Sequence, residues 1–153
     1  MPAESHIDAR RIRQRIEASI QNRIRAIVAQ LYYIGEECLA NARANHLYLN
    51  QTGNLCSSIG YAVIVDGQIA HEGQWTATAG GQGNGEEGMK KGMEYLHRLA
   101  AEQPTEGITF LMTAGMPYAQ YVEAMSLDVL DTSEQMAEKK IKEMLNRLFK
   151  TAA

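Results

Sequence analysis

Ile59-Gly60-Tyr61-Ala62-Val63-Ile64-Val65-Asp66-Gly67-Gln68-Ile69-Ala70-His71-Glu72-Gly73-Gln74-Trp75 is the stretch on which the fold turns. Two extended runs, Ile59 to Asp66 and Gln68 to Trp75, meet at Asp66-Gly67. That dipeptide accepts the positive φ angles of a tight primed turn, so the segment reads as a β-hairpin. Tyr61, Val63 and Val65 share one face of the first strand, and Ala62 and Ile64 share the other. Both faces are apolar, which predicts cover on both sides, by a helix on one and a neighbouring subunit on the other.

Upstream, the apolar positions Ile12, Ile16, Ile20, Ile24, Ile27, Leu31, Ile34 and Cys38 recur every three or four residues. This is the pattern of one long amphipathic helix. Continued to about Ala44 it would span roughly 55 Å at 1.5 Å per residue, more than a small domain can cover. Part of it must pack on another chain or bend near Gly35. The surplus is expected at the N-terminal end, so residues 1–20 are read as a projecting arm and residues 21–153 as a single α+β domain.

Downstream, Thr76 to Gly85 is glycine-rich and reads as a mobile loop that orders on docking. Glu86 to Gln103 follows as a helix with Met89, Met93, Leu96, Leu99 and Ala100 inward, ended by Pro104 and Gly107. Ile108 to Thr113 is a short apolar run read as a central strand, and Leu127 to Leu130 as a further short one. The last helix is expected to start at Thr132 as N-cap, with Gln135 three residues on, and to run to about Lys150. Ala137, Ile141, Met144, Leu145 and Leu148 mark its inner face. The predicted class is α+β: a long N-terminal helix and a small, largely antiparallel sheet with a hairpin, with two further helices packed on it.

At 153 residues the chain is one domain long. Its 45% hydrophobic and 22% charged content is ordinary for a globular protein, and no apolar run approaches the ~18 residues of a membrane span. The charged N-terminal stretch has no secretory pattern, which predicts residence in the cytoplasm where the chain is made. A net charge of −3 speaks against general nucleic-acid binding. The charge is uneven, however: Arg10, Arg11, Arg13, Arg15, Arg23 and Arg25 face only Asp8 and Glu17. Three readings stay open for this stretch: a solvated face, a contact with an acidic partner subunit, or a contact with DNA passing through a ring.

The chemistry-bearing residues do not assemble into a reaction. Gly80 to Gly85 could approach a phosphate, but no Lys-Ser/Thr follows and Glu86-Glu87 places negative charge where the anion would sit. His6, His46, His71 and His97 fall in four separate elements without ligand spacing. Cys38 and Cys56 form no metal or disulfide pattern and read as buried thiols. Ser57 and Ser58 lack a nucleophile elbow, and no acid/base pair is recognisable. No catalytic, metal or cofactor residue is assigned, and the chain is not expected to be an enzyme.

Two further segments are informative as a pair: Gln51-Thr52-Gly53-Asn54-Leu55-Cys56-Ser57-Ser58-Ile59 and Gly115-Met116-Pro117-Tyr118-Ala119-Gln120-Tyr121-Val122-Glu123. In order and spacing they resemble the signature of the tail-completion, or neck, proteins of long-tailed bacteriophages, over roughly Tyr48 to Leu148. The resemblance implies an α+β fold and a virion structural subunit that assembles as a homo-oligomeric ring at the head-tail junction. Such a ring would meet a connector or head-closure protein on one side and a tail-tube or tail-terminator protein on the other. Contact with passing phage DNA is open; contact with a membrane is not expected. The implied location is the virion, and the host bacterial cytoplasm during assembly.

The chain departs from the commonest family pattern after Glu123, where it continues Ala124-Met125-Ser126-Leu127, and at Cys56, where a basic residue is usual. Expected assembly contacts are Tyr118 and Tyr121, as amphipathic interface residues after a strand, Glu123 from the family motif, and Arg10, Arg13, Ile12 and Ile16 on the arm. The alternatives are a tail-terminator or head-closure subunit and, from another class, a small cytoplasmic ligand-binding domain or enzyme using the Gly80 to Gly85 loop.

Overall fold

The computed structural model describes residues 2–44 and 46–150. The element order is α1 (Ala9–Ala44), α2 (Asn54–Ser57), β1 (Ile59–Val65), β2 (Gln68–Glu72), α3 (Glu86–Ala101), β3 (Ile108–Ala114), α4 (Ala119–Ala124) and α5 (Asp131–Lys150). The fold is α+β, with a long N-terminal helix, a three-stranded antiparallel sheet and further helices packed on it.

The hairpin forms as its turn chemistry dictates. Asp66 and Gly67 both take positive φ, 50° and 79°, the requirement of the primed turn that matches strand twist. The Asp66 carboxylate also accepts the Gly107 N–H at 3.0 Å, tying the turn to the start of β3. The second strand is shorter than its sequence suggests and ends at Glu72. Beyond it Trp75 packs against the Ala62, Ile64, Leu96 and Ala100 cluster, its ring so near Gly60 that a Cβ there would lie 2.3 Å from it.

The sheet order is β2-β1-β3, so β1 is the central strand and β3 an edge. This corrects the expectation for residues 108–113. An apolar run reports that both faces of a strand are covered and says nothing of its lateral neighbours. The cover of β1 also differs from expectation. Tyr61 and Val63 face α1, in the core that α5 also joins, while Ala62 and Ile64 meet α3, so both faces are covered within one chain.

Through Gly35, α1 runs as a single helix. The glycine marks a close approach: a Cβ there would lie 2.2 Å from the Tyr61 ring, which is fully buried and donates to Glu36 Oε1 at 2.7 Å. Opposite, α3 contacts the body through Gly88, Gly92, Leu96 and Ala100. A Cβ at Gly88 or Gly92 would come within 2.0 Å of Asn54 O or 2.5 Å of Ser58 O, so only glycine lets this helix lie on backbone.

No strand forms at residues 127–130, which are a turn leading into α5. Thr132 is not the helix cap; its N–H is bonded at 3.0 Å by Asp128 Oδ1. Ser133, 1% exposed, pins α5 to α1: its hydroxyl donates to Cys38 O at 3.2 Å and accepts from Asn41 at 3.0 Å.

Candidate functional site

The two motif segments, far apart in sequence, meet at one end of the sheet. Ile59 opens β1 and Ala114 closes β3; the two residues are paired, and the Gly115 N–H donates to Ser58 O at 3.1 Å. The side chains of the first segment are engaged within the chain. Ser57 Oγ accepts the Thr78 N–H at 2.7 Å, and Asn54 Oδ1 accepts the Gly88 N–H at 3.1 Å. Cys56 is fully buried with its sulfur 3.1 Å from the Tyr48 hydroxyl. Burial pushes the Cys56 thiol and the Tyr48 phenol up from their ordinary values, and the Cys38 thiol up to about 11, so neither cysteine is primed as a nucleophile.

These bonds also settle the character of the glycine loop. The Gln82 N–H donates to Gln51 O at 2.6 Å, and the Gly80 N–H to Gly83 O at 2.9 Å. Residues 76–85 are thus tied to the motif turn in the single chain, contrary to a loop that orders only on docking. At the start of α3, Glu86 N donates to Asn84 Oδ1 at 3.1 Å, and Gly88 N to Asn54. Four of the backbone donors around the loop, at Gly80, Gln82, Glu86 and Gly88, thus have partners within the chain. Glu87 pairs with Lys91 at 2.8 Å.

The second segment turns its polar face outward. Ala119 is 8% exposed and Val122 packs on the main core, while Tyr118 is 40% and Tyr121 74% exposed. Glu123 is directed inward along the chain. Its carboxylate accepts N–H bonds from Val129, from Leu130 at 3.1 Å and from Asp131 at 2.9 Å. Three donors at the entrance of a helix, met by one carboxylate, make Glu123 the N-terminal cap of α5 from a distance of six to eight residues.

The arm forms the other group. Asp8 Oδ1 accepts from Arg10 N at 3.1 Å and from Arg11 N at 3.3 Å, capping α1. Every described residue from Pro2 to Arg23 is exposed, Arg10 and Arg13 included, with Ile12 at 46%, Ile16 at 56% and Ile20 at 50%. Tyr121 and Glu123 thus lie on α4 with Tyr118 just before it, and Arg10, Ile12, Arg13 and Ile16 lie together on α1. No hydrogen bond or ion pair among the described residues joins the two groups.

Sequence reasoning missed a groove along the outer edge of β3, between α3 and the start of α5. Nothing local in the sequence signals it, because it depends on strand order. The histidines lie apart: His46 stacks on Tyr48, His71 lies edge-on to Tyr32 and His97 is bonded to Glu72. Among the described residues no three His, Cys, Asp or Glu side chains converge on a common point, and no helix is long and apolar enough to cross a membrane. Comparison with known proteins finds no family model that matches the chain, no curated protein significantly similar to it and no solved structure significantly similar to it.

Proposed function

We propose that this chain is a non-enzymatic structural subunit of a phage or prophage head-tail junction, a tail-completion or neck protein that assembles as a ring between connector and tail tube. The observation that carries this reading is the meeting of the two resembling segments at one end of the sheet, with Tyr118 and Tyr121 presented to solvent beside them. Exposed tyrosines combine large contact area with a polar tip and suit a surface that is wet before assembly and covered after it. Identical subunits that present different patches to one another associate head to tail and close a ring when the rotation permits. A tail-terminator or head-closure role uses the same logic with other neighbours. The alternative of a ligand site on the glycine loop is less favoured, since the Gly80, Gln82, Glu86 and Gly88 N–H groups bond within the chain.

The test is genetic and structural together. The Tyr118→Ala/Tyr121→Ala chain should keep the parent's helical circular dichroism and fail to complement a phage lacking this gene, with heads and tails accumulating unjoined. Loss of folding would make these tyrosines core residues. Complete complementation, or absence of the chain from purified virions, would overturn the reading.

A further inference from the structure

Among the described residues no strand pairs with the outer edge of β3. A groove of about 310 Å³ runs along it, with Leu111 and Met112 as floor, Leu99 of α3 as one wall and Leu130 at the start of α5 as the other. It continues into a hollow of about 540 Å³ that shares Tyr95 and Gln120 with it. Glu94 lines the hollow and Glu134 the groove, both exposed. Lys91 and Arg98 line the hollow as well, Lys91 paired with Glu87 and Arg98 lying over the Tyr95 ring. Neither Glu94 nor Glu134 is in an ion pair among the described residues. Thr113 on the same floor is 4% exposed, and its hydroxyl has no hydrogen-bond partner among the described residues.

We propose that this groove receives the α1 arm of a second copy of the chain. The charges are complementary. Residues 9–25 hold six arginines against Glu17, a formal +5, so the rest of a chain of net −3 carries −8. Pairing of two arms would oppose +5 to +5, whereas arm on body joins opposite signs and disfavours the symmetric alternative. The shapes agree as well. Ile12, Ile16 and Ile20 follow one another at intervals of four on one helix face, the anchor pattern by which an amphipathic helix enters an apolar groove, and in their own chain they are left exposed. A helix laid there would also cover an open sheet edge. One copy's arm in the next copy's groove is a heterologous contact, which builds a ring or filament. This inference rests on the proposed ring assembly and names its contact.

The test uses two full-length variants, each disabled on one side: Ile12→Asp/Ile16→Asp on the arm and Glu94→Lys/Glu134→Lys on the groove. All four positions are exposed, and circular dichroism and thermal melts should match the parent's. In sedimentation at low salt the parent should form higher oligomers, and each variant alone should be monomeric. An equimolar mixture of the two should give one-to-one dimers, because each supplies the half the other lacks. Dimers should dissociate as salt rises. A mixture that stays monomeric overturns the proposal, as does an arm variant that assembles like the parent. A parent that stays monomeric and shifts duplex DNA through its arginines overturns it too. Failure here leaves the virion-composition test of the neck reading untouched, and a positive mixture stands even if that reading fails.

Discussion

The two halves of α1 repeat the same spacing of apolar residues and meet opposite surroundings. Leu31, Ile34, Cys38, Leu39 and Ala42 are 0–7% exposed against β1 and α5, whereas Ile12, Ile16 and Ile20 are 46–56% exposed. Periodicity states where a helix can form and which face is apolar; what covers that face is decided by length. Seven-residue strands reach about 23 Å at 3.3 Å per residue, and the 36 residues of α1 reach about 54 Å. The uncovered half stays helical because the buried half supplies a costly nucleus and Asp8 satisfies its first N–H groups.

The comparison can be broken most forcefully at Gly35, where the buried half seats the Tyr61 ring. In Gly35→Val the added branches would overlap that ring and push it from its bonds to Glu36 and Tyr32 O. Overpacking of this kind costs about 3 kcal/mol. For a domain this size the midpoint of thermal unfolding should fall by about 6–12 °C. A variant that melts with the parent would mean that α1 and β1 do not approach as closely as described.

Glu123 comes next in size. It organises the start of α5, the helix whose Ser133 grips Cys38 and Asn41 in the buried half of α1. Glu123→Ala leaves the N–H groups of Val129, Leu130 and Asp131 without their shared acceptor and should cost about 1–2 kcal/mol in urea unfolding. Glu123→Gln, which keeps a neutral acceptor, should fall between. If Glu123→Ala is as stable as the parent while assembly is lost, Glu123 is a contact residue and not a cap.

That result bears on how far the sequence could be read. The hairpin, the three long helices and their inner faces follow from local rules, and Ile64, Leu96 and Met144 lie in the core where their spacing placed them. The role of Glu123 does not follow. Its carboxylate reaches donors six to eight residues on because Ser126 and Asp128 take positive φ, 60° and 36°, an uncommon backbone choice for these residues. Hydrophobic spacing marks methionine and leucine as the inner line of α3 and cannot reveal that Gly88 and Gly92 are where backbone meets backbone. Exposure of Tyr121 was legible from amphipathic pattern and that of the arm from helix length; the β3 groove was not, because strand order is a property of the whole chain.

The smallest expected effect is that of Ile16→Ala, read against a buried control on the same helix. Leu39→Ala, at a position 4% exposed, removes packed methyl groups and leaves a cavity, at a cost of about 2–5 kcal/mol. Ile16→Ala, at a position 56% exposed, takes little area from water that folding had removed. Alanine is also the better helix former by a few tenths of a kcal/mol. The two terms oppose each other, so the stability of the monomer should stay within about 0.5 kcal/mol of the parent. The measurement is urea unfolding in dilute solution, below the concentration at which copies associate, so that mass action from assembly does not enter. Equal costs at the two positions would place an intrachain partner over Ile16 and remove the distinction between the halves. A cost at Ile16 that appears only as protein concentration rises would instead locate its cover on another copy.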